Sequence, residues 1–138
     1  MGRLLAIDYG RKRTGIAVTD PLRITANPLE TVPTHQLLDW LERYFLSEQV
    51  DHVVIGMPVQ ANGRESESMN YIRPFMRDFA KRFPNVKLVG FDERFTSVLA
   101  HKAMIDVGMK RKDRQDKAVV DKLAACIILE DYLSSLER

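Results

Sequence analysis

The sequence predicts an α/β protein: one mixed five-stranded sheet with helices on both faces. Three observations carry that expectation. Short apolar runs rich in Val, Ile and Leu recur at residues 3–9, 14–19, 51–56 and 86–91, the signature of buried strands. Between and after them lie longer stretches whose apolar residues repeat at helical spacing. The chain has 138 residues, 45% of them hydrophobic and 29% charged, enough to bury one core. A single domain over residues 1–138 is expected.

The elements follow in order. Residues 3–9 and 14–19 form a hairpin around Gly10. Residues 22–31 make a third strand, which Pro28 assigns to an edge or a bulge. Pro33 and Thr34 open a helix, with Thr34 as its N-cap and Leu37, Leu38, Leu41, Tyr44 and Phe45 on its apolar side. The run "DHVVIG" at 51–56 is a central strand, ended by Pro58 and a polar loop through Asn62 and Gly63. A helix over 66–83 carries Met69, Ile72, Phe75, Met76, Phe79 and Phe83, and is kinked at Pro74 or becomes regular there. A strand at 86–91 leads to "DERFTS" and a helix over 97–107 that stops at Gly108. A last helix spans 117–136, with Val120, Leu123, Ala124, Ile127 and Ile128 as its apolar stripe and Asp121 at the margin.

Composition excludes several classes. No apolar run approaches the roughly 20 residues of a membrane span, and the N-terminus lacks a signal-peptide layout. One cysteine and three histidines disfavour a disulfide framework and a zinc site. Cys126 reads as a small buried hydrophobe, and a soluble cytoplasmic protein is expected. The net charge of +2 is unremarkable, but its distribution is not. Residues 110–117, "KRKDRQDK", hold five cations and two anions, and Arg11, Lys12 and Arg13 form a second basic knot. Such runs are commonly solvated loops; beside a carboxylate site they suit a phosphate track.

The first strand ends on Asp8 and the last on Asp92 and Glu93. If both strands are central and parallel, these carboxylates emerge at the C-terminal edge of the sheet, where open α/β sheets place their sites. Ala124 and Ala125 let the last helix approach closely enough for Asp121 to join them. Two or three oxygen ligands, completed by water and phosphate, is how proteins hold magnesium, and a pair of such ions about 3.5–4 Å apart serves phosphodiester cleavage. Each residue also has a plainer reading: Asp8 capping a turn before Gly10, Glu93 in a surface pair with Arg94, Asp121 on a solvated face beside Lys122. Joint placement at one sheet edge is what raises the chemical reading above these.

Four pieces, "LLAIDYGRKRTGIAVTD", "VVIGMPVQANG", "DERFTS" and "DKLAACIILEDYL", in this order and from end to end, make the chain resemble the YqgF/RuvX-like proteins. These are bacterial members of the RNase H-like superfamily, related to Holliday-junction resolvases. The resemblance implies an RNase H-like fold and a nuclease needing Mg²⁺ or Mn²⁺, as two ions, with Asp8, Glu93 and Asp121 as catalytic and metal-binding residues. It further implies 5′-end processing of precursor 16S rRNA. The alternatives are cutting of branched DNA junctions and a non-catalytic RNA-binding assembly factor. The substrate-binding candidates are Arg11, Lys12, Arg13, Arg94, Lys110, Arg111, Lys112 and Arg114, with Arg94 at the scissile phosphate. Thr96 and Ser97 cap a helix or offer N–H groups to a phosphate, and His101 is structural. The expected partner is structured nucleic acid, in the setting of a pre-ribosomal particle, and no membrane. Two-lobed ATPases share the strand-terminal Asp-x-Gly but need two copies of such a fold and a second phosphate motif, and neither is present.

Overall fold

The computed structural model describes residues 2–58, 67–92 and 117–136. Strands β1 (Arg3–Asp8), β2 (Arg13–Thr19) and β3 (Ala26–Pro33) come first, followed by a 3₁₀ turn (Thr34–Gln36) and helix α1 (Leu37–Ser47). Strand β4 (Val50–Met57), helix α2 (Met69–Arg82), strand β5 (Lys87–Asp92) and helix α3 (Lys117–Leu136) complete the described elements. The sheet order is β3-β2-β1-β4-β5. The first three strands form an antiparallel meander, and β1, β4 and β5 run parallel.

Alternation along the strands divides the interior between two faces. Leu5, Ile7, Val53 and Ile55 pack with Leu37 and Leu41 of α1 and with Ile72, Phe75 and Phe79 of α2. Leu4, Ala6, Ala17 and Val54 pack with Ala125, Ile128, Leu129 and Tyr132 of α3. The first face is filled by large aromatic rings, three of which (Phe45, Phe79 and Phe83) meet edge to face. On the second, the small Ala6, Ala17 and Gly15 of the sheet let α3 lie close against it.

Several expectations are corrected. The third strand begins at Ala26, because Leu22 to Thr25 form a turn closed by the Asp20 carboxylate, which accepts the N–H groups of Ile24 and Thr25 at 2.8 Å. Pro28 satisfies both options: β3 is an edge strand, and the register with β2 slips between Ile16 and Ala17, so that Glu30 and Pro28 face successive residues. Thr34 is not an N-cap. Its hydroxyl donates to the Gly10 carbonyl at 2.6 Å and meets the Thr14 hydroxyl at 2.9 Å, while its N–H donates to the Lys12 carbonyl. Thr34 thus clamps the β1–β2 turn, and α1 begins without a side-chain cap. Helix α2 starts at Met69 and runs through Pro74. The buried stripe of α3 is Ala125, Ile128, Leu129 and Tyr132, about one position round from the expected one. Asp121, four residues before Ala125, therefore continues the buried face. Strand β5 is the last in the described sheet rather than central. Cys126 is buried as expected, and burial beside Glu130 pushes its thiol up to about 12. The loop at Asn62 and Gly63 and the helix expected over 97–107 lie outside the described residues.

Candidate active site

The site is built at the C-terminal end of β1. Asp8 is the last residue of that strand and pairs across the hairpin with Gly15 of β2. Leu4 and Ala6 of β1 belong to the α3 face, so alternation gives Asp8 the same side. Helix α3 arrives there through Gly15. A Cβ at that position would overlap the Asp121 carbonyl and lie 2.9 Å from the Lys122 nitrogen. Only glycine admits so close an approach, and it fixes Asp121 above the residue paired with Asp8.

The two carboxylates feel each other. Asp8 is pushed up to about 7, first by burial and then by the charge of Asp121. Asp121 is in turn ion-paired with Arg13, whose Nε lies 3.4 Å from Oδ2. The basic knot of the hairpin is thereby divided. Arg13 belongs to the carboxylates, Arg11 lies over the Tyr71 ring at 4.9 Å, and the exposed Lys12 contributes its backbone carbonyl to the Thr34 clamp. The turn itself depends on Gly10, since a Cβ there would collide with the Arg13 carbonyl.

Asp92 ends β5 next to Met57 of β4. It follows Phe91, which packs on the α3 face, so alternation turns Asp92 away from the side of Asp8. Glu93, Arg94, Thr96, Ser97, His101, Lys110, Arg111, Lys112 and Arg114 lie outside the described residues. Among the described residues no three His, Cys, Asp or Glu side chains gather in one place; Asp8 and Asp121 are the carboxylate pair that does. This pair suits a hard divalent cation. Its donors are oxygens, and both the burial and the like charge of Asp121 that raise Asp8 are offset by positive charge between the two.

Sequence reading missed the anchoring role of Gly15, although a lone glycine inside a buried strand run is the signal for close backbone approach. It also missed the clamp made by Thr34, which no local pattern announces.

A meander of three antiparallel strands continued by two parallel ones, with one carboxylate at the end of the first strand and another on the last helix, is an RNase H-like fold. Comparison with a solved structure agrees. The structure described as "T. thermophilus RuvC in complex with Holliday junction substrate" aligns over 99% of this chain and 96% of its own, with a TM-score of 0.54 at 14% identity, a likeness of fold. The chain belongs to the RuvX family, described as Holliday junction resolvase, whose profile matches residues 2–135. Curated relatives carry the name "Putative pre-16S rRNA nuclease". One from Phocaeicola vulgatus is 56% identical over 135 residues, covering 98% of this chain and 97% of its own. One from Porphyromonas gingivalis is 52% identical over all 138 residues, covering 100% of both. Among the described residues, no helix is long and apolar enough to cross a membrane.

Proposed function

We infer that this chain is a single-domain, divalent-metal-dependent endonuclease that hydrolyses phosphodiester bonds in 5′-end processing of precursor 16S rRNA. The observation that carries the reading is the pairing of Asp8 with Asp121 through the Gly15 contact. Arg13 pairs with Asp121, yet Asp8 beside it stays raised, an arrangement that a cation between the two carboxylates would use. Asp8 and Asp121, with Glu93, are the residues that would hold Mg²⁺ or Mn²⁺. The bound ion supplies Lewis-acid stabilisation and an activated water. The chain's own residues position the rest: Arg13 steadies Asp121 and faces an incoming phosphate, and Arg11 stands on the other side of the same turn. Arg94, Lys110, Arg111, Lys112 and Arg114 extend the positive track along the substrate backbone. The RNA named for the relatives supports precursor 16S rRNA as the substrate; such a substrate implies a pre-ribosomal particle and the cytoplasm as its setting. The family description favours a second reading, cleavage of four-way DNA junctions.

The test is to incubate the protein and its Asp8→Asn form with a labelled RNA carrying the 5′ extension of 16S rRNA, and separately with a DNA junction, in Mg²⁺, Mn²⁺ or EDTA. Metal-dependent cutting of the RNA is expected. Its loss in the variant should exceed the roughly 10–100-fold cost of removing a mere supporting partner of a metal ligand. Cutting of the DNA junction alone selects the second reading. Binding of RNA without cutting in either metal overturns the nuclease assignment in favour of an assembly factor.

A further inference from the structure

Tyr9, the residue after Asp8, leaves the carboxylate face and packs with the aromatic cluster on the other side of the sheet, its ring centroid 5.0 Å from that of Phe75. There it walls an open cleft of about 360 Å³ between the 3₁₀ turn and α2. The volume falls in the range of small-ligand clefts, roughly 300–1,000 Å³. Two rings, Tyr9 and Tyr71, supply its stacking surfaces with the buried Phe75 behind Tyr9, and His35, Asn70 and Asp78 supply its polar groups. Pro74 also lines it. A proline at that position gives no N–H to the carbonyl four residues back, so the Asn70 carbonyl lacks its ordinary helical donor beside the cleft. Arg11, lying over the Tyr71 ring, places a guanidinium at the rim.

We propose that this cleft receives an unpaired nucleobase of the substrate strand, with Arg11 on the adjoining phosphate. The proposal rests on the nuclease reading above and adds a second contact point to it. A greasy ligand would have no use for the amide, carboxylate and imidazole, and a free phosphate none for the rings. A base uses both, stacking on an aromatic face and presenting donors and acceptors at its edge. The Asn70 carbonyl and the Asp78 carboxylate accept from an exocyclic amine or ring N–H. Because Tyr9 and Asp8 are consecutive, the strand passes over the end of β1, with its scissile phosphate on one side of the sheet and a splayed base on the other. The preferred substrate is therefore a junction between paired and single-stranded nucleic acid.

The test has two readouts. Adenosine and uridine 5′-monophosphates are titrated into the isotopically labelled protein, and the ring resonances of Tyr9, Tyr71, Phe75 and His35 are expected to shift together. Fluorescence anisotropy then compares a short single-stranded RNA with its duplex. Tyr71→Ala should weaken the single strand about tenfold and the duplex little, and Tyr71→Phe should retain wild-type binding. Tyr71 is 42% exposed, so its replacement does not open the core. Unmoved resonances together with wild-type single-strand binding by Tyr71→Ala overturn the proposal. If that happens while Asp8→Asn still abolishes cutting, the nuclease stands without the cleft. If cleft binding is seen and no metal supports cutting, the cleft stands without the nuclease.

Discussion

The two ends of the sheet use the same side chain in opposite ways. At the N-terminal end of β1, Asp51 accepts the Gly2 N–H at 2.9 Å and pairs with Arg23. Its carboxyl is held below the usual range, first by that hydrogen bond. Arg23 also donates to the Gly2 carbonyl, reached from a backbone φ of 58°. Arg3 bridges Glu48 at 3.2 Å and donates to the Thr19 carbonyl at 2.9 Å. At the other end, Asp8 is half-buried beside a like charge and pushed up to about 7. One end satisfies its charges and stabilises the fold. The other keeps Asp8 raised beside the charge of Asp121 even with Arg13 paired to Asp121, and such groups cluster where chemistry is done.

The largest test of this contrast is Gly15→Ala. The added Cβ meets backbone rather than a flexible side-chain tip, so α3 must move. A loss near the upper end of the roughly 1–3 kcal/mol typical of overpacking is expected in denaturant unfolding, with a fall in cleavage larger than the stability change explains. Unaltered unfolding and cleavage would show that α3 is not seated through Gly15.

Next comes pH. Asp8 binds its proton more tightly folded than unfolded, so between about pH 4 and 7 the native state holds a proton that the unfolded chain has released, and stability falls as pH rises through that window. In EDTA this should amount to about 2 kcal/mol, less than the full shift allows because Asp8 is not completely shielded. Thermal unfolding at a series of pH values reads it. Asp8→Asn should flatten that fall, and an equal slope in the variant would remove Asp8 as its source.

The smallest effect belongs to the opposite end. Asp51 is lowered, so its contribution is present above the unfolded carboxylate range and disappears as pH falls through its folded value. Asp51→Asn should cost about 0.5–1.5 kcal/mol at neutral pH and leave cleavage per folded molecule unchanged. A large loss of activity would mean that the two ends are not independent.

Much of this was legible in the chain. Helix α3 spans the residues its periodicity predicts, the opening hairpin is where its apolar runs place it, and Asp8 and Asp121 do share one side of the sheet. What local patterns misjudge is set by tertiary contacts. Thr34 looks like a helix cap until the β1–β2 turn offers its carbonyls. The stripe of α3 is rotated because the small residues Ala6, Ala17 and Gly15 determine which helical side can come closest. The cleft draws on Tyr9 just past β1, the 3₁₀ turn, α1 and α2, and no single stretch of sequence contains it.

The seat of Asp121 on Gly15 has a consequence in time. Asp121 follows Asp8 by more than a hundred residues, and all five described strands lie between the start of β1 and the start of α3, so the strands can pair on a nascent chain before its second carboxylate exists. The centre closes only when the C-terminal helix docks, a contact between distant parts of the sequence that is slow to form.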